Sequence, residues 1–174
     1  MVIQLIYFSQ TGNTKKMANT MEHVFIKAGH SARSIPMNKA TPENIKQSDV
    51  IGVGTPCFAC QAPTPIKQFI KSMPSLYGKK AFVFATSSAV PGKVLYDMTA
   101  LLRKKGADVI GGTLIRGEDS YPAPYLCGTF KGRPNEADLL QAANFARSVA
   151  EHISSGRPST MPESRPDALK LRLN

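Results

Sequence analysis

The sequence is poor in cysteine and acidic residues, contains no tryptophan, and has no long apolar run. Three cysteines in 174 residues are too few, and odd in number, for the disulfide scaffold of a small secreted protein. The apolar run Val2 to Phe8 is interrupted by Gln4 and is too short to span a bilayer. It also lacks the basic flank and small-residue cleavage site of a signal peptide. We therefore expect a cytoplasmic protein with no membrane span.

The shortage of acidic residues gives the chain a strong positive charge. Twelve Asp and Glu stand against 22 Lys and Arg, which leaves a net charge of +10. Such a charge favours anionic partners. The basic residues are scattered in short groups without interleaved aromatics, a pattern that argues against specific nucleic-acid binding. An acidic protein or an anionic small molecule remains as the expected partner.

Apolar, strand-like runs alternate with amphipathic, helix-like segments along most of the chain. The predicted strands cover residues 2–8, 31–37, 49–54, 80–86 and 108–115, and the predicted helices 13–28, 63–73, 92–105 and 135–153, with a short helical turn from Thr41. Strands that are apolar on both faces and alternate with helices predict an α/β fold with a parallel sheet. The length suits one domain, which we predict over residues 1–153. Residues 154–174, rich in Ser, Pro and Arg, are predicted as a tail.

Three hydroxyl side chains surround a glycine between the first strand and the first helix. The segment is Ser9-Gln10-Thr11-Gly12-Asn13-Thr14. Glycine lets the backbone bend close to a ligand, and hydroxyls and free N–H groups at a helix start bind phosphate. A helix cap without a ligand explains only one of the hydroxyls. The Walker and dinucleotide-binding patterns do not fit, so the segment predicts a phosphate loop of another kind.

This loop resembles the FMN phosphate loop of the flavodoxin family, whose usual form is (S/T)-x-T-G-x-T. The order of strands and helices over residues 1 to about 153 is similar too. The resemblance implies a flavodoxin-like, doubly wound, five-stranded parallel sheet of order 2-1-3-4-5 with helices on both faces. It also implies FMN as the cofactor and electron transfer as the activity.

The resemblance further implies that the flavin ring lies between the loops after the third and fourth strands. The candidate cofactor-binding residues there are Thr55, Pro56, Cys57 and Phe58 in the first loop and Thr86, Ser87, Ser88 and Gly92 in the second. No glycine lies between Thr55 and Pro63, where flavodoxins commonly have one, so we do not expect strong stabilisation of a half-reduced flavin. With no tryptophan to stack on the ring, Phe58, Tyr121 or Tyr125 is the candidate aromatic.

The first of these loops contains a C-x-x-C sequence, Cys57-Phe-Ala-Cys60. In thioredoxin-like proteins this spacing supports disulfide exchange. A structural metal site needs four ligands. Beyond this pair there are only Cys127, the third cysteine, and His23, His30 and His152 at predicted helix or helix-end positions, so we predict no metal. Two interpretations stay open: a redox dithiol beside the flavin, or two small residues that line its pocket.

Function also stays open between alternatives. An electron carrier needs no catalytic acid or base, and the basic charge then predicts an acidic, ferredoxin-like partner. The alternative is a small FMN-dependent reductase that acts on a quinone or an anionic organic substrate. Its pocket would be shaped by Tyr121 and Tyr125 with Arg116 or Arg133. A third class is a scaffold that has lost the flavin.

Overall fold

The computed structural model describes residues 1–88, 90–119 and 130–155. The described strands are β1 (Val2–Tyr7), β2 (Ser31–Pro36), β3 (Val50–Pro56), β4 (Lys80–Ser87) and β5 (Asp108–Arg116). The described helices are α1 (Asn13–Lys27), α2 (Pro42–Gln47), α3 (Thr64–Ser72), α4 (Val94–Lys104) and α5 (Glu136–Ser155), with a 3₁₀ turn at Met37–Lys39. All strand pairs are parallel, in the order β2-β1-β3-β4-β5. This confirms the predicted doubly wound sheet.

Helices cover both faces of the sheet, as the apolar strands require. On one face α1 and α5 pack over a cluster that includes Phe25, Phe82 and Phe84. On the other, α3 and α4 pack over a cluster that includes Ile66 and Met98. In the part of the chain described above, no helix is both long and apolar enough to cross a bilayer.

Two glycines in β3 make room for aromatic rings of the neighbouring strand. A Cβ on Gly52 would lie 2.5 Å from the Phe82 ring, and one on Gly54 would lie 2.0 Å from the Phe84 ring. A side chain at either position would displace the ring, since interiors are close-packed. The G-x-G of this strand is therefore a packing feature.

Local sequence signals explain several element boundaries. Thr41 caps α2: its Oγ1 accepts a hydrogen bond from the Asn44 N–H at 3.3 Å, while Asn44 Oδ1 accepts one from the Thr41 N–H at 3.1 Å. Asn135 and Asp138 form the same reciprocal arrangement at the start of α5. That helix continues to Ser155, beyond the predicted domain end at Ile153. Residues 156–174 of the predicted tail lie outside the described residues.

The parallel strands place their carboxyl ends at one edge of the sheet. β1, β3, β4 and β5 end there at Tyr7, Pro56, Ser87 and Arg116. The chain passes outward from β1 to β2 and then returns to β3 on the other side of β1, so β1 and β3 form the topological switch point. Doubly wound sheets bind their ligands outside the strand ends at such a point.

Candidate functional site

A cavity of about 650 Å³ opens at this edge of the sheet. Its volume lies within the rough range of 300–1,000 Å³ typical of small-molecule sites. The predicted residues that line it are Ser9, Gln10, Thr11, Asn13, Thr14, Pro56, Cys57, Phe58, Thr86, Ser87 and Ser88. Three segments that are distant in sequence thus meet around one space.

The loop before α1 has the geometry of an anion site. Gly12 adopts a left-handed conformation with φ 92° and takes the N-cap position without a side-chain capping bond. Ser9 Oγ accepts hydrogen bonds from the N–H groups of Gly12 at 3.2 Å and Lys15 at 3.4 Å. The first turn of α1 carries no acidic residue, so the dipole at this end is available to a bound anion.

Several backbone donors of the same loop have no acceptor among the residues that the structure describes. They are the N–H groups of Gln10, Thr11, Asn13 and Thr14, all from residues that line the cavity. Free N–H groups at a helix start are suited to phosphate oxygens. The loop therefore fits a phosphate group bound through neutral donors.

Thr14 links this loop to β4. Its side chain is buried, and its Oγ1 lies 3.0 Å from Thr86 Oγ1. Since a hydroxyl can donate one hydrogen bond and accept two, Thr14 can hold this contact and still bond a ligand. The pair fixes this loop against the end of β4. The loop that follows β4, residues 88–93, is called the second flavin-side loop because the flavin ring is expected beside it.

The loop after β3 forms a tight hairpin at residues 58–61. Phe58 and Gln61 exchange both backbone hydrogen bonds at 3.0 Å. Ala59 and Cys60 between them have φ values of 47° and 60°, the pattern of a type I′ turn, which normally selects Asn and Gly. The sequence rightly indicated an unusual loop without glycine, but the backbone takes the left-handed conformation all the same. We call residues 58–61 the ring-side turn.

The start of α4 holds the ring-side turn in this conformation. The Lys93 N–H donates to the Cys60 carbonyl at 2.8 Å, and the Ala62 N–H donates to Asp97 Oδ2 at 3.2 Å. Gly92, at φ 51°, lies so close that an added Cβ would be 2.0 Å from the Cys60 oxygen. Gly92 thus packs behind the turn and does not line the cavity.

Phe58 is the aromatic side chain that the ring-side turn brings to the cavity. Its side chain is 38% exposed, and its ring meets Phe8 edge-on, with 6.3 Å between centroids. An aromatic held in this way can present a face to a flat ligand. Tyr121 and Tyr125, the other predicted aromatics, lie outside the described residues.

The two cysteines of the C-x-x-C sequence differ in environment. The Cys57 thiol donates to the Pro91 carbonyl at 3.3 Å, while Cys60 is exposed. Burial raises the pKa of Cys57 to about 11, so this thiol stays protonated near neutral pH. The low thiol pKa of thioredoxin-like sites is therefore absent at Cys57.

A third loop, after β5, contributes lining residues that we did not predict. Gly117, Glu118 and Asp119 line the cavity. The Ser88 hydroxyl donates to Asp119 Oδ2 at 2.7 Å, and Asn13 Nδ2 donates to the Glu118 carbonyl at 3.4 Å. Their position directly after a parallel strand was the available signal, because every such strand end reaches this edge. Ala59, Cys60 and Val90 also line the cavity and were missed.

Some residues that were predicted to bind the cofactor or to shape its pocket do not line the cavity. Thr55 is buried inside β3, where it pairs with Ala85 of β4. Gly12 forms the bend of the phosphate loop and is not itself a lining residue. Arg133 pairs with the buried Asp138 at the start of α5 and does not line the cavity. Within residues 1–88, 90–119 and 130–155, no three His, Cys, Asp or Glu side chains form a group that could hold a metal ion.

The fold and the site define a doubly wound α/β protein with a loop suited to an anion at its switch point. The family model described as a flavodoxin domain matches residues 4–117. A flavodoxin of Megasphaera elsdenii is 26% identical over 117 residues, which cover 66% of this chain and 85% of the relative. An uncharacterised protein of Methanocaldococcus jannaschii is 28% identical over 143 residues, 80% of this chain and 91% of the relative.

A solved structure shares the fold. The structure of a flavodoxin from the domain Archaea superposes with a TM-score of 0.70 at 19% identity, covering 88% of this chain and 99% of the other. The chain belongs to the flavodoxin family. Flavodoxins bind FMN, in agreement with the cofactor expected from the phosphate loop.

Proposed function

We propose that this chain is an electron-transfer protein that binds one FMN in the cavity described above. The observation that carries the proposal is the set of backbone N–H groups around Gly12, at the start of α1, that have no acceptor among the described residues. We place the FMN phosphate on residues 9–14. The ring would lie between the ring-side turn and residues 86–88, with Phe58 beside it.

Bound FMN would supply the redox chemistry, and the chain would supply binding and orientation. Ser9 and these N–H groups would hold the phosphate dianion without a fixed positive side chain among residues 9–14. Phe58 and Pro56 would shield one side of the ring from water, and Ser87 and Ser88 would offer polar groups at its edge. No acid–base residue is needed for electron transfer, so no catalytic residue is assigned.

The partner is proposed to be an acidic, ferredoxin-like redox protein. Phe58 and Val90 line the cavity and are 38% and 55% exposed, so they form an apolar contact at its mouth. The exposed Lys15 and Lys16 directly follow the phosphate loop. An apolar centre with a charged rim is the usual anatomy of a transient interface, and opposite charges accelerate the encounter.

Fluorescence titration of the purified protein with FMN and with riboflavin tests the cofactor assignment. We expect one FMN per chain, bound at least tenfold more tightly than riboflavin, because riboflavin lacks the phosphate. Equal affinity for the two ligands would show that residues 9–14 do not bind the phosphate. Absence of FMN binding would instead support the alternative of a scaffold that has lost the flavin.

A charge-reversal pair tests the partner. Lys16→Glu lies beside the cavity, whereas Lys27→Glu makes the same charge change at the other end of α1, about 16 Å away. With an acidic ferredoxin as donor, the reduction rate of the FMN-loaded protein should fall with rising salt and with Lys16→Glu, but little with Lys27→Glu. A rate independent of salt contradicts the proposal. Steady quinone turnover with NAD(P)H alone would favour the reductase alternative.

A further inference from the structure

The ring-side turn brings the two cysteines of the C-x-x-C sequence together. Cys57 immediately precedes the turn and Cys60 lies within it, so the chain reverses direction between them. Both cysteines line the cavity. Neither cysteine is bonded to another in the described residues.

Both cysteines also pack on the same short segment of the second flavin-side loop. The Cys57 thiol donates to the Pro91 carbonyl at 3.3 Å, and the Cys60 carbonyl accepts from the Lys93 N–H at 2.8 Å. Between these contacts, the Cβ position on Gly92 is 2.5 Å from Cys60 Cβ, which only glycine allows. Residues 91–93 therefore hold both cysteines in fixed positions at the wall of the cavity.

We propose that Cys57 and Cys60 form a dithiol–disulfide couple that exchanges two electrons with the bound flavin. On oxidation, two S–H bonds break and one S–S bond forms, with two protons released to solvent. The two electrons pass to the oxidised flavin, a two-electron acceptor, so this step depends on the proposed FMN site. The exposed Cys60 is the thiol that solvent reaches first, and Cys57 completes the bond.

The environment of Cys57 favours the disulfide over the reduced pair. Burial raises the pKa of this thiol to about 11, against a smaller opposing effect of hydrogen bonds, so on balance the protein disfavours its thiolate. Strongly oxidising dithiol proteins work in the opposite way, by stabilising the reduced form. Oxidation also removes the S–H donor to Pro91, so the redox state of the pair would change a contact between the two flavin-side loops.

Thiol counting tests the pair without reference to the flavin. In a Cys127→Ser background, we would equilibrate the protein with mixtures of reduced and oxidised glutathione, alkylate it, and determine intact and peptide masses. The expected result is the joint loss of both thiols, with one internal bond between residues 57 and 60. The matched control, Cys60→Ser in the same background, should keep Cys57 free. A stable glutathione adduct on Cys60 with a free Cys57 would overturn the proposal.

Anaerobic dithionite titration of the FMN-loaded disulfide form tests the exchange with the flavin. We expect about four reducing equivalents per chain, against about two for the Cys60→Ser variant, because the couple and the flavin each take two electrons. Equal uptake by the two proteins would show that the pair does not exchange with the flavin. If the protein binds no FMN, the proposed function fails while the thiol count still decides whether the couple exists.

Discussion

Two turns border the cavity, and both contain residues in the left-handed backbone conformation. They differ in the residue types that adopt it. In the phosphate loop the residue is Gly12, at φ 92°, and apart from its chain neighbours no described residue has an atom within 4 Å of the place where its Cβ would be. In the ring-side turn the residues are Ala59 and Cys60, at φ 47° and 60°. A side chain in this region costs roughly 1–2 kcal/mol per residue, whereas glycine adopts it freely. The first turn is thus shaped by its own sequence, and the second needs support from α4.

A substitution that forces the ring-side turn away from the start of α4 should have the largest effect on stability. Gly92→Ala would place a Cβ 2.0 Å from the Cys60 oxygen at φ 51°, and we expect the free energy of unfolding in urea to fall by about 3 kcal/mol. The control Gly78→Ala has a similar φ of 78° but nothing within 4 Å, so its loss should be about 1 kcal/mol. Equal losses would mean that the ring-side turn does not depend on α4.

The next largest effect is expected for the rate at which the buried Cys57 thiol, beside the ring-side turn, is alkylated. In a variant with Cys57 as the sole cysteine, alkylation by iodoacetamide at pH 8 should be roughly 100-fold slower in the native than in the unfolded protein, because the thiolate is the nucleophile. The part of this difference that comes from ionisation should shrink to about twofold as the pH reaches the native pKa of about 11.

The same raised pKa has a consequence for stability. The native state holds the Cys57 proton more tightly than the unfolded state, so this contribution is complete below the ordinary thiol pKa and is lost as pH rises towards about 11. The urea midpoint of the wild type should therefore fall more steeply with alkaline pH than that of Cys57→Ser. Parallel curves would contradict a buried, protonated thiol.

On the phosphate side, Ser9→Ala should weaken FMN binding by about tenfold or more, since a hydrogen bond to a charged group is worth about 1.5–3 kcal/mol. Riboflavin affinity should stay the same, because it has no phosphate for this loop to hold. Fluorescence titration with both ligands measures the two affinities. A parallel loss for riboflavin would show that the substitution disturbs the cavity beyond the phosphate loop, where Ser9 bonds the N–H groups of Gly12 and Lys15.

The smallest effect on stability should come from relieving the backbone strain in the ring-side turn. Ala59→Gly removes a Cβ from a residue at φ 47°, and we expect the free energy of unfolding to rise by about 0.5–1 kcal/mol. The control Ala100→Gly, within α4, should lower it by about 1 kcal/mol. A loss of stability in both variants would show that the turn carries little strain.

Much of the fold followed from local patterns in the sequence. Apolar runs with helical stretches between them predicted all five strands, and the predicted helix starts at Thr41 and residue 135 agree with the structure, where Thr41 and Asn135 cap the helices. The phosphate loop was equally accessible, since its hydroxyls and glycine lie next to each other. The extension of β3 through Thr55 and Pro56 was not predicted, because it depends on pairing with Ala85 and Thr86 of β4.

The sequence by itself determined the parallel α/β architecture and the phosphate loop, because apolar periodicity and the freedom of Gly12 act over a few neighbouring residues. Tertiary structure alone decided the shape of the ring-side turn and the place of Asp119 in the cavity wall. Cys60 meets Gly92, and Ser88 meets Asp119, only because β3, β4 and β5 end side by side. Contacts of that kind depend on sheet register, which no local pattern specifies.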